Sequence, residues 1–222
     1  MRGFRDRTQA GELLAERLTG LGLDRPYVLA LPRGGVQVAV PVARALSAPL
    51  DVLVVRKIGA PGNPELGIGA VTAHGPVLLD TERAARLGVD RHALLHTVEH
   101  ERAEARRRLL IYREGRGEPE VGGRDVIVVD DGLATGVTAR AALRDLADRN
   151  PASTRLAVPV GSAAALAAAR HGSDCDEVVC LLEPEDFHAV GLWYEDFPQL
   201  SDDEVVHALH EASGGSAPRP RG

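Results

Sequence analysis

Apolar residues fall into two kinds of pattern along this chain. At Ala10, Leu13, Leu14 and Leu18 they keep helical spacing and stop before Gly20 and Gly22, which predicts an opening amphipathic helix with a packing role. Elsewhere they form short, nearly continuous runs: Tyr27 to Leu31, Leu50 to Val55, Asp125 to Val129, Arg155 to Val160 and Glu177 to Leu182. Runs without polar alternation belong to strands covered on both faces, as in a parallel sheet. Helical segments fall between most of them. One reaches about Leu46 and is predicted to begin near Val38, so that Pro41 stays in the first turn, where its missing N–H costs nothing. Thr138 to Asp148 and the alanine-rich Ser162 to His171 read as crossover helices, the second capped by Ser162. The pattern predicts an α/β fold with a doubly wound, mainly parallel sheet.

Other segments depart from this alternation. Gly67 to Leu79 holds two short extended pieces about His74-Gly75, the pattern of a hairpin. A charged helical stretch from about Asp90 to Tyr112 forms the body of an insertion at residues 81–117, and an aromatic-rich segment occupies residues 183–199. Additions of this kind are candidates for lids. Ser201-Asp202-Asp203-Glu204 is a capping-box pattern that opens a terminal helix, and residues 213–222 are a Gly/Pro/Ser tail expected to be disordered. Residues 1–212 read as one domain carrying the helical insertion and a small C-terminal hood.

Composition narrows the classes of function. With 222 residues and 44% hydrophobic content the chain can bury one sizeable core. A formal charge of −6 argues against a general nucleic-acid binder, whose domain carries a basic excess. No apolar run approaches the ~18 residues of a membrane span. Only Cys175 and Cys180 occur, with no His pair at ligand spacing, and nothing at the N-terminus reads as a leader; a cytoplasmic protein with reduced, structural thiols is expected. Lys57 is the single lysine, so arginine carries nearly all of the positive charge.

Val126-Ile127-Val128-Val129 runs into Asp130-Asp131-Gly132-Leu133-Ala134-Thr135-Gly136-Val137-Thr138 and then a helix. A strand, a tight loop and a helix N-terminus gather unpaired N–H groups and the positive end of the helix dipole at one point, which suits a phosphate dianion. Thr135 and Thr138 add hydroxyl donors, and Gly136 lets the backbone approach a ligand with no Cβ in the way. Asp130 and Asp131 stand at the carboxyl end of the strand, where ligands of open α/β sheets lie. Adjacent strand residues point to opposite faces, so the two carboxylates are expected to divide their work, one accepting from ribose hydroxyls, the other facing a metal or a positive group. A P-loop is excluded, because it needs a lysine after its second glycine and the single lysine is at position 57. A dinucleotide fingerprint fails too, since Gly67-Ile68-Gly69 continues to Thr72 and does not follow the first strand.

These residues resemble the type I phosphoribosyltransferases, whose signature is an apolar strand, two acids and a short Ala/Thr-Thr-Gly-x-Ser/Thr loop; Val128 to Thr138 matches it throughout. The resemblance implies that Ala134, Thr135, Gly136, Val137 and Thr138 cradle the 5′-phosphate of 5-phosphoribosyl 1-diphosphate (PRPP). It also implies that Asp130 and Asp131 contact the ribose and, indirectly, Mg²⁺. Leu31-Pro32-Arg33-Gly34-Gly35 looks like the diphosphate loop of the family, with Arg33 supplying charge and Gly34 and Gly35 freeing backbone N–H groups. Val55-Arg56-Lys57 is similar to the basic dipeptide before a mobile catalytic loop, here residues 58–67, which brings Arg56 and Lys57 to the expected diphosphate site. The likeness covers Tyr27 to Leu182 and leaves the helical insertion unmatched.

By analogy with glycoside cleavage, loss of diphosphate from the anomeric carbon passes through an oxocarbenium-like state, with Mg²⁺, Arg33, Lys57 and backbone N–H groups stabilising the departing anion. The expected activity is phosphoribosyl transfer to a nitrogen nucleophile, with nucleobase salvage as its setting. Small-molecule substrates are the expected partners, and a homodimer is the assembly to consider. A PRPP-sensing regulator without turnover is the main competing reading, and a phosphoribosyl-binding hydrolase or phosphatase the next. Ala134 stands where the 6-oxopurine enzymes of the family carry Asp, which turns the resemblance toward adenine-type members; their catalytic loop glutamate has only Glu65 as a counterpart here. Phe187 and Trp193 are the candidate platforms for a stacked base. His92, His96 and His100 share one helix face with Glu99 nearby, and a solvated face is preferred to a metal site.

Overall fold

The computed structural model describes residues 3–60 and 63–212, apart from the side chains of residues 64 and 65. The Glu65 side chain and the expected tail at 213–222 therefore lie outside the described residues. The chain runs α1 (Arg7–Thr19), β1 (Tyr27–Ala30), α2 (Gly34–Ala45), β2 (Leu50–Val52), β3 (Val55–Ala60), β4 (Asn63–Thr72) and β5 (Val77–Leu79). It continues through α3 (Thr81–Arg86), α4 (Arg91–Arg113), β6 (Asp125–Val129), α5 (Val137–Ala147), β7 (Ser153–Val160), α6 (Ala163–His171) and β8 (Glu177–Leu182). A short 3₁₀ turn at Val190–Trp193 then leads to α7 (Asp202–Ala212).

Strands in the order β2-β1-β6-β7-β8 form a five-stranded parallel sheet, so the chain winds outward one way from β1 and the other way from β6. Successive side chains of a strand point to opposite faces. Val28 and Ala30 enter the core built with α1, α2, α4 and α7, while Leu29 and Leu31 enter the one built with α5 and α6. Ile127 and Val129 divide from Val126 and Val128 in the same way. Both faces are covered, which is why these strands read as unbroken apolar runs. The doubly wound, mainly parallel architecture expected from the sequence is the one observed. One charge interrupts it: Asp51 in β2 is buried and meets buried Arg113 of α4 at 3.3 Å, as an interior carboxylate must.

Several local expectations are corrected. The run from Leu50 to Val55 is not one strand, because β2 ends at Val52 and Val55 opens β3 of a separate antiparallel sheet, β3-β4-β5. The described residues of the segment 58–67, expected as a loop, belong to β3 and β4, with register shifts on either side of Gly59. Ile58, Ala60 and Ile68 hold it down by packing against Ala84 and Val98 of α3 and α4. The hairpin expected about His74-Gly75 is present as β4 and β5. Far from being a lid, α4 delivers Ala105, Leu109 and Tyr112 to the main core. The capping box at the start of α7 forms, with Ser201 and Glu204 bonded reciprocally.

The helix expected from Val38 starts at Gly34, which leaves Pro41 inside it. Proline there removes one helical hydrogen bond, and packing outweighs the loss. Val36, Val38, Ala39 and Val42 are fully buried, and Pro41 lies against Gly11 of α1. A Cβ on Gly11 would stand 2.3 Å from the Val38 carbonyl oxygen and 2.5 Å from Pro41 Cγ, so α1 and α2 touch backbone to backbone there. Gly11→Ala is expected to force the two helices apart and to lower stability by about 2–3 kcal/mol. Urea unfolding checks this through a lower midpoint at an unchanged slope.

Candidate active site

Because β1 and β6 are neighbours whose following helices lie on opposite faces, the loops after them open side by side at the carboxyl end of the sheet. Between them lies a cavity of about 270 Å³, lined by Leu31 to Gly34 from the first loop and by Asp130 to Gly136 and Thr138 from the second. Val55 and Lys57 of the antiparallel sheet and Val190 of the C-terminal hood complete the wall.

The second loop is fastened at its middle. Leu133 N–H donates to the Val160 carbonyl at 2.8 Å, Ser162 N–H to the Leu133 carbonyl at 2.9 Å, and Ser162 Oγ to the Ala134 carbonyl at 2.7 Å. Gly136, at φ +73°, makes the left-handed step that turns the loop into α5. Ala134, Thr135, Gly136 and Thr138 all reach the cavity, whereas Val137 opens α5 outside its lining. In the first loop the Pro32–Arg33 peptide is cis. A Cβ on Gly35 would stand 2.7 Å from the Val129 carbonyl oxygen, and one on Gly34 would stand 1.8 Å from Asp131 Oδ2, so both positions require glycine.

The two acids live in different surroundings. Asp130 Oδ1 accepts from Asp131 N–H at 2.9 Å. Its carboxyl keeps some exposure to the cavity but sits deep among protein atoms; this desolvation and the neighbouring Asp131 charge push its pKa well above the usual carboxylate range, against the pull of Lys57 and Arg7. Asp131 has a cation of its own, with Arg7 Nε 2.9 Å from Oδ2. Burial still raises its pKa, and Arg7 limits the rise. Arg7 is 6% exposed, donates through Nη1 to the Pro198 carbonyl at 2.8 Å and stacks 3.7 Å over the Phe197 ring. Tyr194 adds a third tie, its hydroxyl donating to the Asp131 carbonyl at 2.6 Å. Burial pushes that phenol far above its ordinary pKa, which keeps it a donor.

The other expected residues separate into those near the cavity and those away from it. Arg33 and Lys57 line it, and Arg33 also lies 3.9 Å from Asp202 of α7. Arg56 does not join them. Alternation along β3 turns it toward α4, where its Nε donates to Glu101 at 2.9 Å. Phe187 and Trp193 do not reach the cavity either. They pack within the hood, against the cluster of Phe4, Ala10, Val160 and Tyr194. His92, His96 and His100 are exposed, and among the described residues no His, Cys, Asp and Glu group gathers as a metal site. Cys175 and Cys180 are free thiols packed on the second core, and burial pushes Cys180 up to about 11. Arg7, Tyr194 and Val190 escaped the sequence reading. Arg7 lies 124 residues from Asp131 and carries no local motif.

This constellation, an acid pair and a phosphate-type loop at the switch point of a parallel sheet, defines a protein of the phosphoribosyltransferase class. Residues 7–191 match the family model described as the phosphoribosyl transferase domain, and the chain belongs to that family. It is 44% identical over 212 residues to a Mycobacterium tuberculosis protein named "Putative phosphoribosyl transferase Rv0571c", covering 96% of this chain. The match takes in 47% of that protein, so the chain spans about half the length of the curated relatives it matches. The crystal structure of TT1426 from Thermus thermophilus superposes with a TM-score of 0.77 at 46% identity, over 95% of this chain and 99% of that one. A Neisseria gonorrhoeae protein with bound ppGpp shares the fold at a TM-score of 0.51 and 16% identity, over 96% and 98% of the two chains. No helix among the described residues is long and apolar enough to cross a membrane.

Arg7→Met is expected to destabilise the protein by about 3–5 kcal/mol, because it leaves Asp131 charged, buried and unpaired. Adding Asp131→Asn should recover part of that loss, and chemical denaturation of the single and double variants measures it. Asp130 predicts the opposite sign. Its native pKa lies above the unfolded value of about 3.9, so the native state binds the proton more tightly and loses stability as pH rises through the native pKa. Asp130→Asn should therefore raise stability by about 1 kcal/mol at neutral pH, with the gain shrinking as pH falls toward about 4. Thermal midpoints of both proteins across that range give the comparison.

Proposed function

We propose that this site binds PRPP with Mg²⁺ and transfers the phosphoribosyl group to a nitrogen nucleophile, releasing diphosphate. The reading is carried by one observation: one small polar cavity gathers three kinds of group, namely the residues Ala134, Thr135, Gly136 and Thr138, the acid Asp130 and the cations Arg33 and Lys57. The first suits a 5′-phosphate, the second a ribose hydroxyl and the third a diphosphate.

In this reading the N–H groups of the 134–138 loop and the hydroxyls of Thr135 and Thr138 hold the 5′-phosphate at the N-terminus of α5. Asp130 in its ionised form accepts from the ribose. Arg33, Lys57 and the N–H groups of Gly34 and Gly35 hold the diphosphate, and as the bond from the anomeric carbon breaks, its electron pair leaves on an oxygen these groups already face. Hard carboxylate oxygens suit Mg²⁺, and the donor set favours Asp130 over Asp131, whose Oδ2 is taken by Arg7. Mg²⁺ when bound supplies further positive charge for the departing diphosphate. Because Asp130 must give up its proton to act, ligand affinity rises with pH through its raised pKa.

Calorimetric titration with PRPP is expected to give micromolar, Mg²⁺-dependent binding. Lys57→Ala should weaken PRPP by about tenfold or more while changing ribose 5-phosphate affinity by less than about twofold, since its proposed partner is the leaving group. PRPP binding that is absent, or indifferent to Mg²⁺, would remove this reading.

A further inference from the structure

Resting on that PRPP site, we propose that Asp202 is a positioning residue: from the first turn of α7 it holds the Arg33 guanidinium at the cavity wall, ready for the diphosphate. Arg33 lines the cavity, and Asp202, outside that lining, stands with Oδ1 3.9 Å from Arg33 Nη1. At that separation the two charges attract each other without a hydrogen bond. Asp202 therefore orients the cation and takes none of the N–H donors with which a guanidinium grips a phosphate.

The carboxylate is itself fixed from three directions. The hydroxyl of Tyr112, a fully buried residue of α4, donates to the same Oδ1 at 2.6 Å. Burial and this bond to a carboxylate push the phenol far above its ordinary pKa, which keeps it a donor. Ser201 and Glu204 cap the turn that carries Asp202. Asp202, Val205 and Leu209 are spaced three and four residues apart, so they share one face of α7. Val205 and Leu209 enter the core with Val36 of α2 and with Leu109 and Tyr112 of α4.

Arg33 needs such a support. Its side chain is 36% exposed, and a long side chain free to change rotamer must be ordered when a ligand binds, at a cost in entropy. A carboxylate anchored to the core supplies part of that order beforehand. Its negative charge also repels a diphosphate, so two effects of opposite sign compete. Asp202 lies outside the cavity lining and is 28% exposed, which lets solvent screen the repulsion, whereas its pull on Arg33 acts at close range. Orientation of the cation outweighs repulsion of the ligand.

The test is calorimetric titration of the 222-residue chain and its variants with PRPP and Mg²⁺, and separately with ribose 5-phosphate. Asp202→Asn is the informative change, because the amide oxygen still accepts from Tyr112 while the charge is gone. It is expected to weaken PRPP by about three- to fivefold and to change ribose 5-phosphate affinity by less than about twofold. In an Arg33→Ala chain the same substitution should change PRPP affinity no further, since the group it positions is gone. A role in capping or folding alone would not depend on Arg33 in this way. Tyr112→Phe, which frees the carboxylate, should weaken PRPP in the same direction, and thermal midpoints verify that each variant is folded. PRPP affinity that is unchanged or tighter in Asp202→Asn overturns the proposal, as does an equal loss in the Arg33→Ala background; PRPP binding by the unaltered chain then leaves the site reading standing. Absence of PRPP binding by the unaltered chain removes the reading and the proposal together.

Discussion

The ion pair between Arg7 and Asp131 joins three parts of the molecule that the chain separates widely. Arg7 opens α1, Asp131 follows β6, and the Pro198 carbonyl and Phe197 ring that complete the arginine's surroundings belong to the C-terminal hood. With side chains only 6% and 18% exposed, neither charge can be left alone without a large desolvation cost. The first loop is fitted to the pair as well, because any Cβ at Gly34 would fall on the Asp131 carboxylate. The N-terminal helix, both cavity loops and the hood thus meet at one contact, and the cavity lies between the two loops.

That contact also separates the roles of two chemically identical neighbours. Asp131 is held by Arg7 and, through its carbonyl, by Tyr194, so it serves the architecture. Asp130 has no arginine of its own and carries the larger electrostatic cost. A buried carboxylate that the fold does not pair is a stability liability, and such liabilities persist where a ligand or cation makes use of the charge. Of the tandem acids, one is paired with an arginine and the other lines the cavity without such a partner.

Lys57 reaches the cavity through the antiparallel sheet rather than from the parallel one. Its strand is held by Ile58 and Ala60 against the helical insertion, which gives α3 and α4 a structural purpose. On the opposite side, the hood sets an aliphatic Val190 against Gly132 of the second loop, and its aromatic rings pack in their own cluster.

The sequence by itself determined the sheet and the phosphate-type loop, because both are written in contiguous residues. Continuous apolar runs report strands covered on two faces, and Asp130 to Thr138 carries its acids, hydroxyls and the glycine at positive φ within nine positions. Arg33 and Lys57, expected together from the family resemblance of their segments, both line the cavity. Tertiary structure decided the rest. Burial overrode Pro41 and let α2 begin early, pairing placed the described residues of an expected loop in β3 and β4, and alternation along β3 split Arg56 from Lys57. Phe187 and Trp193 went to the hood's own cluster, since exposed rings find cover wherever the chain offers it. Arg7 could not be read at all, because its role depends on a carboxylate that only folding brings within 2.9 Å. Backbone chemistry is local and survives in sequence; the pairing of buried charges and the closing of a cavity depend on segments that meet only in three dimensions.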